Sequence, residues 1–109
     1  MSVDHYENFP VASVLCPPAL RPAITAIYHF ARTADDIADE GLASTEARLA
    51  DLADYRRDLM LVATGQPSSA RWARVFTPLA AQIARHRLPV PLLADLLDAF
   101  AQDTRNPLY

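Results

Sequence analysis

Glycine is scarce in this chain, with two residues in 109. Gly41 and Gly65 stand alone, so no glycine-rich loop can cradle a phosphate in its backbone amides. Any phosphate must be held by side chains or through a metal ion. The single cysteine, Cys16, excludes an internal disulfide and offers no ligand spacing for zinc. Within Val14-Leu15-Cys16 it reads as a small buried hydrophobe, consistent with a reducing compartment. No stretch approaches the roughly 20 apolar residues of a membrane span. The opening Met1-Ser2-Val3-Asp4-His5 lacks the basic and apolar regions of a secretory signal, so the expected location is cytoplasmic. No cluster of basic residues is interleaved with aromatics, and the net charge is -3, which argues against nucleic acid as a partner. Strand-like alternation, internal repeats and low-complexity tracts are also missing.

What is present is helical. Apolar residues make up 51% of the chain, enough for a globular core, and the length suits one small domain. A short first element is expected over about Tyr6 to Leu15, closed by Cys16-Pro17-Pro18. A long helix follows from about Ala19 to Glu40, with Pro22 tolerated in its first turn and Gly41 as its stop. Ser44 is a good N-cap for a third helix, with Glu46 in the first turn. Its expected apolar stripe is Leu49, Leu52, Ala53, Leu59, Met60 and Ala63, and Gly65 and Pro67 end it. A fourth element spans about Ser69 to Arg87, where Thr77-Pro78 either breaks it or begins a fresh helix. Trp72, Val75 and Phe76 read as packing against the third helix. After the linker Leu88-Pro89-Val90-Pro91, a last helix from about Pro91 to Asp103 carries Leu92, Leu93, Leu96, Leu97 and Phe100 at helical spacing. The class is all-α.

The most informative stretch is Asp35-Asp36-Ile37-Ala38-Asp39-Glu40. Four carboxylates crowd the C-terminal end of a helix, where the dipole disfavours anions. Asp35 and Asp39 stand one turn apart on one face, where like charges repel. A sequence that accepts both penalties calls for a cation, and Mg²⁺ binds through one or two carboxylates together with substrate phosphates. Around the helix, Ile24, Tyr28, Ala31, Arg32, Asp35 and Asp39 share a narrow face, while Ala23, Ala26, Ile27, Phe30, Ala34 and Ile37 form the stripe turned into the protein. The first face runs from apolar to aromatic hydroxyl to guanidinium to carboxylate. It suits a ligand with a greasy tail and an anionic head. Asp36 projects off that line. The bland alternative is a solvated acidic face, with Arg32 as an ordinary helix partner of Asp35 or Asp36 and Tyr28 as a core aromatic with a wet hydroxyl. Asp95 and Asp98 read as the polar face of the last helix. His5 reads as part of a mobile end, and His29 and His86 as surface or interfacial residues.

Three segments carry a resemblance: Tyr6-Glu7-Asn8-Phe9-Pro10-Val11-Ala12-Ser13, Leu20-Arg21-Pro22, and Ala26 through Gly41, which includes Phe30-Ala31-Arg32-Thr33-Ala34-Asp35-Asp36-Ile37-Ala38-Asp39-Glu40-Gly41. Together they resemble the N-terminal part of squalene/phytoene synthases. Within that family they look like the bacterial hopanoid-pathway branch, the hydroxysqualene synthases. The likeness is dense to Gly41 and continues weakly through Leu96 to Asp103. It implies an isoprenoid-synthase helical fold and a prenyl diphosphate substrate, presqualene or farnesyl diphosphate, held through Mg²⁺. On that resemblance Asp35, Asp36 and Asp39 are the first metal-binding motif. Tyr28 and Arg32 line the same wall as catalytic and substrate-binding residues, and Asn8 and Phe9 belong to a segment that closes over the substrate. Contact with the inner face of the membrane and with partner enzymes of the pathway stays open.

Two departures accompany the resemblance. No second aspartate-rich motif occurs in residues 1–109, and Leu108 stands where relatives carry Arg, beside a matching Tyr109. The expectation is the N-terminal part of one synthase domain, inactive alone. The alternatives are a presqualene- or phytoene-forming head-to-head prenyl transferase, and a non-catalytic helical module that scaffolds a partner.

Overall fold

A computed structural model describes residues 17–39 and 44–105. Among the described residues there are four α-helices and no strand: α1 (Arg21–Asp39), α2 (Thr45–Ala63), α3 (Ala73–His86) and α4 (Val90–Arg105). Short 3-10 turns at Pro18–Leu20 and Ala70–Trp72 lead into α1 and α3. The expected first element and Gly41 lie outside the described residues.

Local chemistry sets the ends. Pro22 falls in the first turn of α1, where a missing N–H costs no helical bond. The Ser44 hydroxyl accepts from the Ala47 N–H at 3.1 Å and caps α2, with Glu46 favourably placed in the first turn. At the other end the Gln66 N–H reaches the Leu61 carbonyl at 2.9 Å and the Gly65 N–H reaches that of Val62 at 3.2 Å. This paired closure needs a left-handed residue, and Gly65 supplies it at φ 80°.

α1 and α2 form the central pair, each packing against the other and against both α3 and α4. The core is aromatic where they meet. Phe30 stacks on Tyr55 with centroids 5.4 Å apart, and Phe76 leans on both rings at 6.0 and 4.8 Å. Trp72 meets Tyr55 edge-on at 5.1 Å, as expected from its packing toward the third helix. Such pairs add about 0.5–1.5 kcal/mol each beyond the area they bury. Arg71 lies over the Trp72 ring at 4.2 Å and holds Asp51 at 3.1 Å. No described helix is long and apolar enough to cross a membrane.

Several details differ from the sequence reading. The buried stripe of α2 is Leu52, Tyr55, Asp58, Leu59 and Val62, and Ala53 is exposed. The polar run Asp54-Tyr55-Arg56-Arg57-Asp58 concealed it, because two of its members point inward. Pro78 neither breaks nor restarts α3; the helix runs through it. Pro78 is exposed, so its cost falls on the preceding turn of α3, which loses one backbone bond, and not on the core. α4 begins at Val90, and Leu92 is 64% exposed while Leu93, Ala94, Leu97 and Phe100 carry the buried face.

Asp58 is a buried carboxylate with a structural task. It accepts the Ser69 N–H at 3.1 Å and the Ser69 hydroxyl at 2.6 Å, tying the α2–α3 connection to α2 and setting Trp72 against Tyr55. Asp58→Ala leaves the Ser69 donors without their acceptor. The expected cost is about 1.5–3 kcal/mol, the range for hydrogen bonds to a charged group. Urea denaturation checks it, and an unchanged midpoint contradicts the role.

Candidate functional site

α1 presents two faces with different fates. Ala23, Ala26, Phe30, Ala34 and Ala38 are buried, and Ile27 and Ile37 pack partly against the same core. Small residues at four of the five buried positions let neighbouring helices come close, with Phe30 as the single large anchor. The Tyr55 hydroxyl donates to the Phe30 carbonyl at 2.8 Å, fastening the middle of α1 from behind. Burial, reinforced by the Asp58 charge and opposed by a hydrogen bond with Thr33, pushes the Tyr55 phenol well above its ordinary range, so it stays a donor. Tyr55 is the supporting residue that the sequence reading missed. Its signal was its position three residues from Leu52 and four from Leu59, which places it on the buried stripe.

The other face carries the residues singled out from sequence. Ile24, Tyr28, Ala31 and Asp35 are half-buried, while Arg32 and Asp39 are exposed. The Tyr28 ring meets the His29 ring edge-on at 5.4 Å. Arg32 Nε lies 3.3 Å from Asp36 Oδ1, with side chains 45% and 38% exposed. A pair this wet contributes little stability. Its effect is positional: Asp36 turns toward Arg32, while Asp35 and Asp39 face each other.

Asp35 is the unusual group. Its Oδ1 is shielded from water and has no hydrogen-bond donor. Its pKa is raised from 3.8 to about 6, first by burial, then by a hydrogen bond with Asp39 and by the charges of Asp39 and Asp36. The native pKa lies above the ordinary one. Asp35 therefore favours the folded state most fully below pH 3.8, and that contribution disappears as pH rises through about 6. At neutral pH this protein holds an ionised, half-buried carboxylate against a second one.

Of the predicted site residues, the structure brings together Tyr28, Arg32, Asp35, Asp36 and Asp39 on or beside one wall of α1. Asn8 and Phe9 lie outside the described residues. Among the described residues no three carboxylate, imidazole or thiol groups are arranged to hold a metal ion. Asp35 and Asp39 nevertheless have the hard oxygen donors that suit a divalent cation, and the orphaned Asp35 oxygen is what such an ion would satisfy.

Fold and site together define a class: an all-helical protein whose central helix bears an aromatic, a guanidinium and an acid pair along one open wall. The sequence profile of squalene/phytoene synthases matches residues 3–109. The chain belongs to the squalene/phytoene synthase family. It is 46% identical over 105 residues to the hydroxysqualene synthase of Zymomonas mobilis, covering 94% of this chain and 33% of that protein. It is 35% identical to the hydroxysqualene synthase of Rhodopseudomonas palustris and 32% identical to the presqualene diphosphate synthase of Zymomonas mobilis, with the same two coverages. The chain thus spans about a third of the length of the curated relatives it matches. No solved structure matches it.

Proposed function

We propose that this chain forms part of a prenyl-diphosphate-processing synthase, converting presqualene diphosphate to hydroxysqualene. The observation that carries this reading is the pair Asp35–Asp39, one turn apart on α1, with the Asp35 Oδ1 buried and without a donor. That arrangement is costly without a cation and ordinary with one. Hydroxysqualene synthases among its relatives, one at 46% identity, support the choice of substrate and product.

Asp35 and Asp39 would hold Mg²⁺. When bound, the ion neutralises charge on the departing diphosphate as a Lewis acid. Arg32, held in place by Asp36, directs N–H donors at the same anion and strengthens as negative charge develops there. Asp36 is thus the positioning member of the motif rather than a direct ligand. The carbon–oxygen bond breaks heterolytically, and the diphosphate leaves with the electron pair. Ile24, Ala31 and the Tyr28 ring present an apolar and aromatic wall to the cationic carbon, and the ring face attracts positive charge. The bonds of the neighbouring cyclopropane ring then shift and the ring opens, moving the positive charge to another carbon; a water molecule adds there and loses one proton, which completes the open-chain alcohol. By the family resemblance, Asn8 and Phe9 would contribute to binding the diphosphate and the start of the tail.

The second reading is head-to-head condensation of two prenyl diphosphates, favoured by the 32% identity to a presqualene diphosphate synthase. Incubation with farnesyl thiodiphosphate separates both readings from a non-catalytic module. Binding measured by calorimetry is expected only with Mg²⁺ present, and Arg32→Ala is expected to weaken it about tenfold, the loss of one charge-assisted contact. Equal binding with and without Mg²⁺ contradicts the proposal.

We further expect the 109-residue chain assayed alone with Mg²⁺ and presqualene diphosphate to release diphosphate no faster than buffer. Among the described residues no three metal-ligating side chains are gathered, and a clamp on a transferring diphosphate draws ligands from more than one element. Diphosphate release measured colorimetrically decides this, and clear turnover contradicts it.

A further inference from the structure

The buried face of α1 is smooth. Ala23, Ala26, Ala34 and Ala38 lie on it, and Phe30 is its one large side chain. Packed helices are held against one another by side-chain ridges seated in grooves. Alanine ridges are shallow. They let a neighbour approach closely but do little to oppose a roll of the helix about its own axis. Beyond the Phe30 ring, α1 needs another hold.

Tyr55 supplies it from α2. Its ring is fully buried and gripped on three sides, by Phe30 at 5.4 Å, Trp72 at 5.1 Å and Phe76 at 4.8 Å between centroids. The hydroxyl therefore stands on a rigid post. It donates to the Phe30 carbonyl at 2.8 Å and is also hydrogen-bonded with the Thr33 side chain. A threonine inside a helix commonly bonds back to a carbonyl of its own preceding turn. Here the Thr33 hydroxyl engages a second helix. The two contacts lie three residues apart on one turn of α1. A single bond would act as a pivot, whereas two resist rotation.

Rotation matters because the acids are on the far side. Asp35 and Asp39 lie about 140° and 180° round α1 from Phe30. Side-chain heads stand about 5–6 Å from a helix axis, so a roll of about 20° carries them about 2 Å. Mg²⁺ asks for oxygens at about 2.0–2.1 Å, and a binding constellation tolerates errors of about 0.5 Å. We propose that Tyr55 and Thr33 are positioning residues that fix the roll of α1 and so aim Arg32, Asp35 and Asp39 at one bound diphosphate. This role rests on the acid wall being a metal-held diphosphate site.

The test titrates inorganic pyrophosphate with Mg²⁺ into the 109-residue chain by calorimetry, at a temperature where circular dichroism shows every variant folded. Tyr55→Phe and Thr33→Val are each expected to weaken binding about tenfold, the effect of misplacing the ligating groups. Thr33→Ser keeps the hydroxyl and is expected to bind like the parent. Val62→Ala is the control for stability alone. It trims the core about two turns along α2 from Tyr55, and should lower the urea midpoint while leaving affinity unchanged. Cα–Hα residual dipolar couplings along α1, recorded without ligand, should change in Tyr55→Phe and not in Val62→Ala. Equal affinity in the parent and Tyr55→Phe, equal weakening in Val62→Ala, or unchanged couplings in Tyr55→Phe overturns the positioning role and leaves the acid wall standing. A parent that binds no pyrophosphate overturns the acid-wall reading, and the positioning role with it.

Discussion

Asp35→Asn is expected to stabilise the metal-free protein at neutral pH while abolishing its response to magnesium. The two effects share one cause. The Asp35 carboxyl has its pKa raised to about 6 by burial and by the neighbouring acids, so ionising it at pH 7 works against folding. Asparagine removes the charge, and its amide can donate to Asp39, replacing repulsion with a hydrogen bond. In the parent chain the melting temperature without metal should fall as pH rises from about 4 through 6, and the variant should show a flatter profile. At pH 4 the two should melt together, since the parent side chain is then protonated. Thermal melts across that range check this. Equal melting temperatures at pH 7 contradict the claim that Asp35 is held at a cost. The same exchange removes an oxygen that the proposed cation would need, so added Mg²⁺ should leave the variant unchanged. Sites that hold ligands often sacrifice stability in this way.

Phe30→Ala is expected to remove most of the stability of the chain. Phe30 is fully buried and meets both Tyr55 and Phe76, and it is the one large side chain on the buried face of α1. Truncating a buried phenylalanine costs about 3–5 kcal/mol, against roughly 5–15 kcal/mol for a whole domain. The neighbouring Ala26 and Ala34 are too small to collapse into the space. Tyr55→Phe is the informative contrast, because it keeps the ring stack and removes only the hydroxyl's bonds, to the Phe30 carbonyl and with Thr33. Its expected cost is about 1 kcal/mol. Urea denaturation of the two variants should rank them in that order. Equal losses contradict a core organised by ring packing.

The long acid-bearing helix was readable because three signals agreed: a 3.6-residue apolar stripe, a proline in the first turn and carboxylates where the dipole opposes them. The Ser44 cap and the Gly65 stop were equally plain, since each residue type has a specific backbone task. The inner face of α2 was not. Tyr55 and Asp58 look polar in a one-dimensional pattern, and only the partners Phe30 and Ser69 show why they are buried. Pro78 misled for a different reason: it costs the preceding turn of α3 one backbone bond, and the helix continues through it with the residue exposed. Leu92 has helical spacing and still lies on the exposed side, because it sits about 100° around α4 from Leu93, and the buried face is carried by Leu93 and Leu97. At the acid wall, spacing alone gave Asp35 and Asp39 a common face. It left open whether Arg32 pairs with Asp35 or Asp36, and it did not show that one Asp35 oxygen is shielded without a donor. Both depend on rotamers and on neighbouring helices.

The most direct measurement is the melting temperature with Mg²⁺ and inorganic pyrophosphate added together, for the parent chain and for a variant carrying both Asp35→Asn and Asp39→Asn. A ligand pair that binds only the folded state at a hundred times its dissociation constant adds about 2.7 kcal/mol. The parent is expected to melt several degrees higher with the pair than with either component alone, and the double variant to show no shift. An unchanged parent, or an equal shift in both proteins, contradicts the assignment of this wall to a metal-held diphosphate.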